Sequence, residues 1–164
     1  MVAVTSDVVI LRERVSMVRT SGERAGQPYH AAESMKLTEA EAFLARTEKI
    51  AVEMAAEAVR TAVARLAAGG YRVARAAVLV GSGKPLPELA KILAAHPLIH
   101  TAEGVFFREA LKAACERCGL AVASVKEKEV PAALIARTAA MGKALGPPWT
   151  MDEKLAAAAA FQSV

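Results

Sequence analysis

The chain has 164 residues, 54% of them hydrophobic, so one domain with a sizeable core is expected and disorder is not. Only 4% are aromatic and much of the apolar content is alanine, which points to an α-rich protein with close helix packing. A net charge of +4, with no run of five Lys or Arg, makes no nucleic-acid footprint by itself. No stretch reaches the roughly 18–20 apolar residues of a membrane span, and the N-terminus lacks a signal-peptide pattern, so a cytoplasmic protein without membrane attachment is expected.

Residues 8–11 form an apolar run and 15–20 begin with alternation, so both read as strands, with "RER" (12–14) between them as the turn. "SGERAG" (21–26) is a turn leading to a third strand, "QPYHAAES", near 27–33. His30 and Glu33 sit on that strand or just past it; on the strand they point to opposite faces, which argues against a joint site unless it bulges or ends between them. A long amphipathic helix follows over about 39–68, with Thr38 and Glu41 spaced as a capping box and Gly69–Gly70 as its stop. Ala76 to Val80 is apolar on both faces, as a central strand requires. Pro87 suits the start of a short helix, and Pro97 breaks it. Thr101 is placed to cap the next helix, which Gly119 ends. Residues 120–126 read as a strand. A helix follows from near Pro131 to Gly146, and Thr150 with Glu153 forms a capping box for the last helix.

A helix running into the fifth strand, "HTAEGVFFREALKAACERCGLAVASV", and an acid followed by small residues, "WTMDEKLAAAAA", complete the order β-β-β-α-β-α-β-α. That order resembles the RNase H-like superfamily, nearest to RuvC-like Holliday-junction resolvases. The resemblance implies a single RNase H-like domain over 1–164, an α/β fold with a five-stranded mixed sheet and helices on both faces. It also implies two metal ions, Mg²⁺ or Mn²⁺, held by carboxylates. The fourth strand carries no acid, so a metal set must be drawn from Asp7, Glu103, Asp152 and Glu153. Two functions follow as expectations. One is a divergent member that binds nucleic acid or a protein partner, alone or in an assembly, without efficient catalysis. The other is a metal-dependent nuclease with a rearranged carboxylate site, in which Glu103, Asp152 and His100 act.

"GSGKP" departs twice from a P-loop: the first glycine position holds Val78, and Pro85 follows the lysine. Gly81, Ser82, Gly83 and Lys84 can still contact an anion through backbone N–H groups and one positive charge, or form a plain strand-to-helix turn. His100, Thr101 and Glu103 sit together at a helix start and are expected to face that loop across a cleft. There they serve proton transfer or metal binding, or only cap the helix. His96 is four residues before His100, but Pro97 between them argues against one helical face and so against a two-histidine metal pair. Cys115 and Cys118 form a C-x-x-C at a helix C-terminus, where two core residues are the simple reading and redox or metal use the other. Trp149 reads as a core plug, with base stacking as the alternative.

Overall fold

Two long helices laid side by side carry the fold. The computed structural model of the protein describes residues 1–18, 26–81 and 85–163. Helix α2 spans Leu37–Ala68 and packs along α4, His96–Arg117. Buried positions of α2 recur every eleven residues, at Ala40, Ala51 and Ala62 and again at Leu44, Ala55 and Leu66. That period, about 3.67 residues per turn, keeps one stripe buried along the whole helix, against α4 in its middle and against residues 29–32, 89–93 and the N-terminal strands at its ends. Most of these side chains are alanine, and Ala102, Ala110 and Ala114 of α4 are also fully buried, so the helix surfaces offer little side-chain bulk to hold them apart. Lys36 is the N-cap of α2 and makes no side-chain cap bond, so the expected Thr38–Glu41 box is not formed.

Among the described residues there are two sheets of two strands, β1 with β2 and β3 with β4. Strands β1, Val2–Val4, and β2, Val9–Arg12, form an antiparallel hairpin. Its turn is closed by Thr5 N–H to Val8 O at 2.9 Å, with the Thr5 hydroxyl accepting from Val8 N–H at 3.3 Å. Strands β3, Arg75–Val80, and β4, Ala121–Lys126, are parallel, in register from Arg75 with Ala121 to Val80 with Lys126. The crossover between them runs through α3, Leu89–Leu93, and α4. Helices α5, Ala132–Leu145, and α6, Met151–Gln162, cover the side carrying Ala77, Leu79 and Val125. The Thr150–Glu153 capping box is present, with Thr150 N–H donating to Glu153 Oε2 at 2.5 Å.

The expected five-stranded RNase H-like mixed sheet is therefore corrected. Residues 13–17 adopt no regular structure, and 19–20 lie outside the described residues. The third expected strand is helix α1, Pro28–Ala32. Pro28 sits in its first turn, where a fixed φ and a missing N–H cost nothing, and Ala31 and Ala32 favour helix. The hairpin also starts earlier than expected, because Val2–Val4 pairs with Val9–Arg12 and the turn falls at 5–8 rather than 12–14.

Where a continuous sheet would have joined hairpin to β3, there is an apolar chamber of about 840 Å³, bounded by the hairpin, α2, β3, α4 and α6. Val15 and Met17 line it instead of pairing. The chamber is partly open to solvent, so water or a ligand can enter it.

Candidate metal centre

All three histidines of the chain meet at one place. His30 comes from α1, and His96 and His100 from the first two turns of α4. Pro97 does not separate the last two. It occupies the first turn of α4, so the helix begins at His96 and the i, i+4 spacing puts both imidazoles on one face. His96 Nε2 and His100 Nε2 are 3.0 Å apart. The ring centroids lie 4.6 Å apart for His96 and His100, 4.7 Å for His30 and His100, and 5.1 Å for His30 and His96, all steeply inclined. One ring nitrogen from each lies within 4.8 Å of the other two.

Glu103 stands two turns along α4 from His96, buried at 9% exposure. Its Oε1 accepts from His30 Nδ1 at 2.9 Å and from the His30 backbone N–H at 3.3 Å. A carboxylate oxygen only accepts, so the proton of the side-chain bond sits on Nδ1 and Nε2 is the nitrogen a metal would take. Tyr29 beside His30 packs edge-on against Phe106 at 6.1 Å between centroids, which fixes α1 on α4. Its hydroxyl pKa is raised, by burial first and then by the negative charges of Glu48 and Glu103.

Glu103 is bonded to His30, and the His30 ring in turn lies against those of His96 and His100. The strand expected near His30 is helix α1, and Pro97, expected to part His96 from His100, lies in the first turn of α4. The usable signal was the tolerance of helix first turns for proline, which makes His-Pro-x-x-His compatible with an i, i+4 pair. Thr101 is inside α4 rather than capping it, and its hydroxyl donates to Pro97 O at 2.9 Å. Gly81 ends β3; a Cβ there would lie 3.2 Å from Arg108 Nη1, and one at Gly104 would lie 3.4 Å from the same atom. Ser82, Gly83 and Lys84 lie outside the described residues.

The other carboxylates stand apart. Asp7 is in the hairpin turn with its side chain 84% exposed, 3.5 Å from Arg137. Asp152 and Glu153 occupy the first turn of α6, where hydrogen bonds from the Thr150 backbone and side chain hold the Glu153 carboxyl below its usual pKa. Among the described residues the histidines are the only group of three or more potential ligands in metal-binding proximity. Mg²⁺ and Mn²⁺ prefer oxygen ligands, so the set that gathers does not fit the ions the resemblance implies. Imidazoles suit Zn²⁺, Cu²⁺, Ni²⁺ or Fe²⁺.

The cysteines are not part of this centre. Burial, then Cys118 and Glu116, push the Cys115 thiol up to about 11. Cys118, partly exposed at the end of α4, donates from Sγ to Ala56 O at 3.5 Å. At pH 8 only about one Cys115 in a thousand would be thiolate. A thiol reagent under native conditions is therefore expected to modify Cys118 first, with Cys115 reacting only on unfolding. Equal fast labelling of both would contradict this placement.

Trp149 is half-buried, its Nε1–H donating to Thr138 O at 2.8 Å, with its ring over Gly142. No described helix is long and apolar enough to cross a membrane. Comparison with models of known families, with curated proteins and with solved structures found no match.

Proposed function

We propose that this protein binds a divalent transition metal, Zn²⁺ first among them, through His30, His96 and His100, with Glu103 orienting His30. The observation that carries this is the convergence of every histidine in the chain from two helices onto one point. Tetrahedral zinc with Zn–N of about 2.0–2.1 Å sets ligand nitrogens about 3.4 Å apart. The 3.0 Å between His96 and His100 is within a few tenths of that. The Glu103–His30 bond is the carboxylate–histidine pairing that orients metal-bound imidazoles and raises their basicity. Three protein ligands leave a fourth position, and His96 and His100 are exposed, so solvent and small molecules can reach it. A metal there would supply an activated water, which suits hydrolysis or hydration more than a closed structural role.

Titration with Zn²⁺ against a chromophoric chelator tests the proposal, with one ion per chain expected. Glu103→Gln should weaken binding by about 10–100-fold while leaving the stoichiometry at one. An unchanged affinity would remove Glu103 from the site. Lower pH should weaken binding, because protons compete for the imidazole nitrogens.

Carboxylate-based nuclease activity has no comparable support. Mg²⁺-dependent cleavage of junction, duplex or RNA–DNA substrates is expected to be weak or absent, and Asp152→Asn to change little. Robust turnover lost in Asp152→Asn would reverse this.

A further inference from the structure

We infer that the chamber beside β3 is a binding site for a linear anionic amphiphile of the fatty-acid class. The walls are aliphatic: Val59 and Val63 of α2, Val78 and Leu79 of β3, Leu111 of α4 and Leu155 of α6. Its volume of about 840 Å³ falls within the usual range of ligand pockets. Every residue from Arg75 to Leu79 lines it, as does Glu127 just past the end of β4, so it runs the length of the strand. That is about 17 Å at 3.3 Å per residue, a shape for a chain rather than a compact ring system.

The two ends differ in charge. At the far end Arg108 is paired to Glu127 at 2.7 Å, and Asp152 of α6 also lines the chamber. At the near end, by the start of β3, Arg72 and Arg75 line the chamber, both exposed, and neither makes an ion pair among the described residues. An anionic head at Arg72 and Arg75 with an aliphatic tail along β3 complements both features. The occupant lies outside the metal centre, since none of the three histidines lines the chamber.

The test uses the full chain and a naturally fluorescent polyene fatty acid, displaced by dodecanoate or dodecanol. Saturable binding of one molecule per chain is expected. Ala58 lines the chamber from α2. Ala58→Phe should weaken binding by about tenfold or more with the melting temperature kept or raised, because the ring fills space the ligand needs. Arg72→Glu with Arg75→Glu should weaken dodecanoate by about tenfold and leave dodecanol nearly unchanged. These two positions are on the surface, so they decide the matter if Ala58→Phe does not fold. His100→Ala should bind the probe as the parent does, which separates this site from the metal reading. Absence of saturable binding would overturn the inference. So would an Ala58→Phe protein that folds and binds normally, or equal losses for acid and alcohol in the arginine variant.

Discussion

Alanine at His100 is expected to lower Zn²⁺ affinity by at least about a hundredfold, more than the loss of an orienting partner such as Glu103 usually costs. His100 is central to the cluster: its ring is within 4.7 Å of His30 and 4.6 Å of His96, centroid to centroid. Its removal leaves two imidazoles, too few for a protein-held tetrahedral site. The metal-free protein should hardly notice the change, since His100 is exposed on α4 and alanine favours helix. Chelator competition measures the affinity and thermal unfolding without metal measures the fold. A loss under tenfold with the fold intact would mean the imidazoles cluster without holding an ion.

Gly142→Ala is expected to destabilise the protein by about 2–3 kcal/mol, against the usual gain of about 1 kcal/mol for replacing a helical glycine by alanine. A methyl at 142 would overlap the Trp149 ring, with Cγ at 2.6 Å and Nε1 at 2.9 Å. The ring cannot move alone. Its N–H is bound to Thr138 O, and Thr138 is fully buried with its hydroxyl on Ile135 O at 2.8 Å and Lys154 O at 3.2 Å. Arg12 reaches from the hairpin to Gly146 O at 2.8 Å and to Pro148 O. Displacing Trp149 therefore disturbs α5, α6 and the hairpin together. Urea unfolding measures the change, and a loss below about 1 kcal/mol would show that the ring has room to shift.

Long, strongly patterned segments were legible in the sequence. The long helix α2, strands at β3 and β4 paired in parallel, and the Thr150–Glu153 box follow from local rules, but β3 is not the central strand expected, since its sheet has two strands and only Val78 of it is buried. The failures sit at prolines and at the N-terminal strand. Pro28 opens a helix where an extended segment was expected, and Pro97 opens one where a break was expected; in both cases the ring fits a first turn whose N–H needs no partner. The same misjudgement hid the site, because His96 and His100 share a face only if Pro97 is inside the helix. His30 could not have been added from the sequence, since its meeting with α4 depends on α1 being helical and docked through Tyr29 and Glu103. The five-stranded sheet failed for a non-local reason. Val15 and Met17, placed on an expected second strand, line a chamber rather than pairing between the hairpin and β3.

X-ray absorption at the zinc edge of the metal-loaded protein is the most direct measurement of the central claim. Three imidazole ligands at about 2.0–2.1 Å, with the outer-shell scattering of imidazole rings, are expected, and that signature should be lost in His100→Ala. A shell of oxygen atoms alone, or sulfur at about 2.3 Å from the cysteines, would contradict a three-histidine centre.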